Sequence, residues 1–138
     1  MRIYCGTRPP TTGYEDCGLQ KEPAIEGASC TEILADEVLD YIHTDEFESY
    51  VTNLVAKLRH GGTIVIGGIE LIETLKATIR GQITESQYNE FVFGAKGTKR
   101  KSGCHSLPKL VELLQNLGLK VQKKKIEKNR MVVEATRL

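Results

Sequence analysis

The stretch from Cys30 to Gly68 most constrains what this chain can fold into. It begins with a short apolar run, passes a group of carboxylates and enters a strongly periodic segment after Thr44. Apolar residues recur there at the i, i+3, i+4 and i+7 spacing of an amphipathic helix, until Gly61-Gly62 precedes a β-branched run. Strand, helix, turn and strand in this order predict a right-handed βαβ unit with two parallel strands.

The segments on either side extend this unit to a mixed α/β sheet. Closing strands are predicted at 120–126 and 130–136, and because only 127–129 join them, we expect an antiparallel hairpin. Strands that alternate with helices and end in a hairpin predict one α/β domain over residues 1–138. The other predicted elements are short strands at 2–5 and 14–17, a loop at 20–29, a helix at 70–80, a helix or irregular cover at 84–93, a basic loop at 95–103, and a helix capped by Ser106.

The composition is that of a soluble globular domain. Of the 138 residues, 40% are hydrophobic and 27% are charged, and no apolar run approaches the roughly 20 residues that span a bilayer. The first residues carry no export signal, so we expect a cytoplasmic protein without membrane association and with four reduced cysteines. The cysteine spacing matches no zinc pattern, and no metal site is predicted.

The charge of the chain is unevenly distributed. The net charge is +1, but nearly all charged residues between 96 and 130 are basic, with Glu112 and Glu127 as the exceptions. This asymmetry is typical of a nucleic-acid-binding surface. It also fits, and more simply, a solvated face and an edge strand whose lysines discourage edge-to-edge pairing. Both interpretations stay open at the level of the sequence.

Several short motifs, in order, resemble the class I S-adenosylmethionine-dependent methyltransferases, especially the small type common in phage and bacterial genomes. The matching stretches are Ile3-Tyr4-Cys5-Gly6, Gly13-Tyr14, parts of 29–42, and 58–66, followed by the closing pattern of 113–135. The resemblance covers nearly the whole chain. It implies a Rossmann-like, mostly parallel sheet with a C-terminal antiparallel hairpin and helices on both faces. It also implies S-adenosylmethionine as cofactor and an unknown small or macromolecular methyl acceptor.

The sequence departs from the family pattern at three positions near the expected cofactor site. Tyr4 stands where the first motif has another glycine, and a tyrosine partly fills the space that a glycine leaves for a ligand. Gly18 aligns with the acid that binds the cofactor ribose, and Gly27 with the acid near the adenine amine. The segment before the middle block is also short, which indicates that a strand and a helix of the full fold are missing. A second interpretation is therefore a shortened domain without cofactor binding that serves as a binding or assembly module, for example in a homodimer.

Ligands of open α/β sheets bind beyond the carboxyl ends of the parallel strands. Ala35, Asp36 and Glu37 follow the first strand of the predicted unit, so this rule makes them candidates for ligand contact. For Asp36 and Glu37 there is a simpler alternative, which is that they are acids at the start of a helix. Methyl transfer requires mainly alignment of the acceptor and exclusion of water, with a base where the acceptor loses a proton, and His105 is the candidate for that base. A third hypothesis is a nucleic-acid-binding protein that uses the basic segments at 96–101 and 120–128. The candidate cofactor-binding residues are Cys5, Gly6, Thr7, Asp16, Ser29, Ala35, Asp36 and Glu37.

Overall fold

A computed structural model describes residues 1–10, 12–19 and 27–138 of the chain. Six strands form one sheet in the order β2-β1-β3-β4-β6-β5. The strands are β1 (Arg2–Cys5), β2 (Glu15–Gly18), β3 (Cys30–Ala35), β4 (Leu58–Ile69), β5 (Leu119–Glu127) and β6 (Arg130–Arg137). The helices are α1 (Phe47–Ala56), α2 (Leu71–Ile79), α3 (Glu85–Phe93) and α4 (Leu107–Asn116), with 3-10 turns at Val38–Tyr41 and Thr44–Glu46.

The sheet has a parallel half and an antiparallel half. β1 pairs in parallel with β2 and β3, and β3 pairs in parallel with β4. β6 lies antiparallel between β4 and β5. Lys128 and Asn129 join β5 to β6 with φ angles of 51° and 64°, as in the tight hairpin turns whose twist matches that of the strands. The predicted α/β sheet and its closing hairpin are confirmed.

Helices α1 and α4 pack on the same face of the sheet. Phe47 and Leu54 of α1 share one buried core with Leu110 and Leu114 of α4. In the part of the chain that the structure describes, this core lies on one side of the sheet only. The sheet residues that face this core are Ile3, Cys5, Ile33, Ala35, Ile64, Ile66, Val133 and Ala135.

Among the described residues, the opposite face of the sheet is less fully covered than the predicted arrangement of helices on both faces implies. Leu34, Val65 and Val132 alternate with the core-facing residues of their strands and are only half-buried. Helices α2 and α3 contact each other and follow the carboxyl end of β4. The connection from β1 to β2 spans only residues 6–14, which is shorter than the dozen or so residues that a parallel crossover with a helix needs.

The central α-helix begins later and ends earlier than its periodicity predicts. His43 caps the preceding 3-10 turn, and its Nδ1 accepts a hydrogen bond from the backbone N–H of Asp45 at 3.1 Å. α1 ends at Ala56, and Leu58 already belongs to β4. Leu58 would be buried as the last residue of the helix stripe and is buried as the first residue of β4, so its apolar character does not reveal where α1 ends.

The remaining elements agree with the predictions or decide between the predicted alternatives. Residues 84–93 form a helix with a capping box, in which Thr84 and Gln87 bond to each other's backbone N–H. β2 lies one residue later than predicted. Within the predicted loop at 20–29, residues 20–26 lie outside the described residues. No helix in the described ranges is long and apolar enough to cross a bilayer.

One buried carboxylate ties the start of two helices together. Glu70 follows β4, is 1% exposed, and accepts the backbone N–H of Glu73 at 2.7 Å with Oε1. Its Oε2 accepts the backbone N–H of Leu107 at 2.6 Å. Ser106, the predicted cap of α4, makes no side-chain capping bond, since Glu70 takes that role. Glu70 therefore fixes α2 and α4 at the carboxyl end of β4.

Candidate functional site

The parallel pairing of β1 and β3 brings two short segments together beyond their carboxyl ends. Glu37, which follows β3, accepts three hydrogen bonds with Oε1: from Tyr4 Oη at 3.0 Å, from the Thr7 backbone N–H at 3.0 Å and from Thr7 Oγ1 at 3.1 Å. Burial opposes ionisation of this carboxyl, but the bonds from Thr7 and Tyr4 outweigh it and hold the pKa of Glu37 below its ordinary value. Three donors thus converge on one carboxylate oxygen.

Arg8 closes this arrangement from the solvent side. Its guanidinium donates to Asp36 Oδ1 at 2.6 Å and lies 3.4 Å from Glu37 Oε1. Its Nε also donates to Tyr4 Oη at 3.3 Å, and the guanidinium carbon lies 5.8 Å from the centre of the Tyr4 ring. Tyr4, Thr7, Arg8, Asp36 and Glu37 form what we call the Glu37 cluster.

The space above Gly6 is filled by side chains of the Glu37 cluster. A Cβ at Gly6 would lie 2.8 Å from Cζ of Tyr4 and 2.9 Å from Oε1 of Glu37, closer than such atoms approach. The tyrosine in the first motif therefore occupies the space beside this glycine, as the sequence predicts. The backbone N–H of Gly6 donates to the carbonyl of Gly18 at 3.0 Å and so holds this turn against the end of β2.

The structure brings some of the predicted cofactor-binding residues together. Gly6, Thr7, Asp36 and Glu37 lie at one site, as described above. Asp16 lies on the neighbouring strand β2, paired in register with Tyr4, and its Oδ1 accepts the backbone N–H of Gly18 at 2.8 Å. Asp16 is thus near the Glu37 cluster without bonding to it.

Other predicted residues lie elsewhere. The side chains of Cys5 and Ala35 are buried in the core, so that only their backbone faces the carboxyl edge. Burial and the neighbouring Cys17 raise the pKa of the Cys5 thiol to about 12, which makes it unreactive. Ser29 directly precedes β3 and therefore lies at the opposite edge of the sheet from Asp36. The match of Ser29 to a family motif did not place it in the site.

His105 lies within the packed interior. It is 3% exposed, stacks on Phe47 with 4.5 Å between ring centres, and its Nε2 lies 2.8 Å from the carbonyl oxygen of Ile42. Burial lowers its pKa below the ordinary value. This geometry gives His105 a packing role and corrects the hypothesis of a catalytic base, because a base must reach the acceptor.

A cleft of about 580 Å³ opens beside the Glu37 cluster, and we call it the carboxyl-edge cleft. Its volume is in the range of small-molecule sites. It lies beyond the ends of β1 and β3 and is bounded on the far side by α3 and the basic loop 95–103. Its lining residues are Thr7, Glu37, Asp40, Tyr41, Glu90, Phe91, Ala95, Thr98, Lys99, Lys101 and Arg130.

A buried ion pair fixes the far wall of the cleft. Nζ of Lys101 lies 3.1 Å from Oδ2 of Asp40 and donates to the Phe91 carbonyl at 3.0 Å. The other oxygen of Asp40 accepts the backbone N–H of Ile69 at 2.7 Å. The Asp40 carbonyl accepts from the backbone N–H of Ser102 at 2.8 Å, so the loop is held by backbone and side chain together.

Arg8, Lys101 and Arg130 are site residues that the sequence analysis did not identify as such. Arg8 and Asp36 are 28 residues apart in the chain, and α1, β4, α2 and α3 lie between Asp40 and Lys101. No local spacing relates such pairs. The basic composition of 96–130 was the one signal that pointed to Lys101 and Arg130.

Solved structures with a similar fold are S-adenosylmethionine-dependent methyltransferases. The chain is 12% identical to one from Methanosarcina mazei, with a TM-score of 0.66, and the match covers 91% of this chain and 68% of that one. One from Mesorhizobium loti is 14% identical, with a TM-score of 0.61 and coverage of 94% and 72%. The 1,6-didemethyltoxoflavin-N1-methyltransferase of Burkholderia thailandensis, solved with S-adenosylhomocysteine, is 17% identical, with a TM-score of 0.56 and coverage of 90% and 51%.

No protein-family model matches the sequence, and no curated protein matches it. The chain spans between about half and 72% of the length of these three structures. At such low identity the likeness is one of fold, and it agrees with the six-stranded order and the antiparallel final pair. The chain has the α/β fold of the class I S-adenosylmethionine-dependent methyltransferases.

Proposed function

We propose that this protein is an S-adenosylmethionine-dependent methyltransferase. The observation that carries the proposal is the convergence of three donors from Tyr4 and Thr7 on one carboxylate oxygen, beside a cleft of about 580 Å³. S-adenosylmethionine contains an amino-acid carboxylate, whose oxygens accept hydrogen bonds as Glu37 Oε1 does. The Thr7 N–H, the Tyr4 hydroxyl and the Arg8 guanidinium would hold that group. The fold likeness supports the same conclusion.

The residues at this edge fit the cofactor in part. The donor set suits the carboxylate, but Glu37 bonds to the same donors and has to release them first. Gly18 offers no side chain to the ribose, and the Oδ1 of Asp16 is bonded to the Gly18 N–H. We therefore expect weaker binding than in a site with the full set of acids.

The contribution of the chain to methyl transfer would be positioning. The cofactor, when bound, supplies a methyl group on a positively charged sulfur. Tyr41 and Phe91, which line the carboxyl-edge cleft, would orient an acceptor and exclude water from it. No general base is assigned, since His105 is buried and does not line the cleft. An acceptor that needs no proton removed at the moment of transfer would suit this site.

A second candidate is a methyltransferase-like module that binds no cofactor. The observation that favours it is the Glu37 cluster itself, because Glu37 and Tyr4 fill the space above Gly6. In this case the carboxylate of Glu37 remains bonded to the turn after β1 at all times. The protein would then act through its surfaces.

Calorimetric titration with S-adenosylmethionine and S-adenosylhomocysteine tests the proposal. We expect micromolar binding to the wild type and about tenfold weaker binding to Arg8→Ala, which removes the cation of the donor set. Glu37→Ala frees the donors and should bind more tightly than the wild type. Glu112→Ala, a substitution on the exposed side of α4, is the matched control and should bind like the wild type.

The Glu37→Ala variant separates the two candidates. If neither the wild type nor Glu37→Ala gives heat or a thermal shift at millimolar ligand, the methyltransferase proposal fails and the module remains. If both bind equally well, Glu37 does not compete for the donor set, and the carboxylate of the ligand lies elsewhere.

A further inference from the structure

The fold brings together two basic segments that are far apart in the sequence. Lys99 and Lys101 of the basic loop line the carboxyl-edge cleft, and Arg130, at the start of β6, lines the same cleft. Arg130 also lines a neighbouring groove of about 290 Å³ with Lys125 and Lys128. Basic side chains therefore continue from the loop, across Arg130, to the hairpin turn. We call the exposed residues of this series the basic strip: Lys96, Lys99, Arg100, Lys128 and Arg130.

The acids near the basic strip do not neutralise it. Asp40 is paired with Lys101, and Glu127 is paired with Lys125 at 2.7 Å, so these two lysines are compensated and stand outside the strip. The members of the strip form no ion pair with any described residue. Glu37 and Glu90 line the cleft together with Lys99 and Arg130, so the cleft has mixed charge. The part of the strip outside the cleft is positive.

Aromatic rings accompany the basic strip. Tyr41 and Phe91 line the cleft, and Phe93 is 44% exposed on the adjoining helix α3. The guanidinium of Arg100 lies 5.6 Å from the centre of the Phe93 ring. Proteins bind single-stranded nucleic acids with cations placed along the phosphate backbone and with aromatic rings on which the bases stack. A duplex keeps its bases stacked, whereas a concave cleft admits an unstacked base.

We propose that the basic strip binds a single-stranded nucleic acid and that one of its bases enters the carboxyl-edge cleft. The further step, that this strand is the methyl acceptor, rests on the proposed function. In that step a bond forms between a base nitrogen or oxygen and the methyl carbon. The carbon–sulfur bond breaks with its electron pair left on sulfur, and the proton that the acceptor loses passes to water.

Fluorescence anisotropy with labelled oligonucleotides tests the binding without any cofactor. The probes are single-stranded RNA and DNA of ~12 nucleotides, within the range of single-strand site sizes, and a DNA duplex of the same sequence. Four or five phosphate contacts predict that log K falls with log salt with a slope of about −3. We expect both single strands to bind more tightly than the duplex.

Three variants and a matched control identify the surface. Lys96→Gln/Lys99→Gln/Arg100→Gln removes three strip cations and should reduce the salt slope by about 2. Lys128→Asn/Arg130→Gln should reduce the slope by about 1. Asparagine is chosen at position 128 because it tolerates the positive φ angle of this turn. Phe93→Ala should weaken binding about tenfold with the slope unchanged, because stacking does not release counterions. The control Lys57→Gln/Arg59→Gln removes two cations beyond the end of α1 and should bind like the wild type.

The outcomes distinguish this inference from the proposed function. Equal weakening by the control, equal binding of the duplex, or no effect of Phe93→Ala would overturn the inference, because binding would then be a general response to charge. A polyglutamate probe that binds as tightly as RNA would identify the surface as one for acidic proteins. If the protein binds the single strand but no S-adenosylhomocysteine, only the acceptor step fails. If it binds S-adenosylhomocysteine but no strand, the inference fails and the proposed function stands.

Discussion

The ion pair between Asp40 and Lys101 should hold the far wall of the carboxyl-edge cleft, and a double-mutant cycle can test this. The two side chains are 3% and 12% exposed, so neither charge is well solvated. In Lys101→Met the Asp40 carboxylate keeps the Ile69 N–H but loses its cation. Removing one partner of a buried pair costs about 3–5 kcal/mol, and the remaining solvent contact of Lys101 places the expected loss near 3 kcal/mol.

The reverse variant, Asp40→Asn, keeps an oxygen for the Ile69 N–H and leaves Lys101 with the Phe91 carbonyl. It should lose about 2–3 kcal/mol of unfolding free energy. In the double variant neither charge remains, so its loss should be no larger than that of one single variant. The coupling energy of the cycle is therefore expected to be about 2–3 kcal/mol.

Urea unfolding followed by far-ultraviolet circular dichroism measures these losses. With a slope of about 2 kcal/mol per molar urea, a loss of about 3 kcal/mol lowers the midpoint by about 1.5 M. The exposed pair Glu73–Lys76, at 3.7 Å, is the control cycle and should couple by less than about 0.5 kcal/mol. If the losses of Lys101→Met and Asp40→Asn add within that limit, the buried pair does not hold the loop, and the reasoning is wrong.

Two further predictions concern Glu70 and His105. Glu70→Ala removes the acceptor of two helix-capping N–H groups and should destabilise the fold by about 2–3 kcal/mol in urea unfolding, whereas the exposed Glu73→Ala should cost less than about 0.5 kcal/mol. Burial lowers the pKa of His105 below its ordinary 6.5, so the unfolded chain takes up a proton at a higher pH than the folded chain. Stability should therefore fall as the pH decreases through about 6.5, and His105→Gln should remove this part of the pH dependence of the urea midpoint. An unchanged pH profile in that variant would contradict the assignment.

The sequence predicts the fold of this chain better than its site, because the two depend on interactions of different range. The period of α1, the apolar run of β4 and the short join at Lys128-Asn129 are local, and each predicts its element correctly. Leu58 shows the limit, since a buried position satisfies the helix stripe and the strand equally.

The site depends on pairs that only the fold creates. Glu37 is conspicuous in the sequence as one of several acids, but its three donors come from β1 and the turn after it, about thirty positions earlier. His105 shows the converse, because an isolated histidine beside a basic loop resembles a catalytic base until its burial against Phe47 is known. Composition alone showed that the C-terminal part is basic, and the order of the strands explains how its cations come to lie beside the cleft.

The arrangement of this sheet links the two proposals through one structural cause. β6 runs antiparallel to β4, so its first residue, Arg130, pairs with Ile69 at the end of β4 and lies at the carboxyl edge. A parallel strand in this place would put its amino end at the opposite edge, and the cations of the hairpin turn would lie far from the cleft. The antiparallel closure therefore brings the basic strip to the edge where the Glu37 cluster and the carboxyl-edge cleft lie. A cofactor and a strand bound there would approach the same cleft from its two sides, one from the turn after β1 and the other from the rim formed by the basic loop and the hairpin.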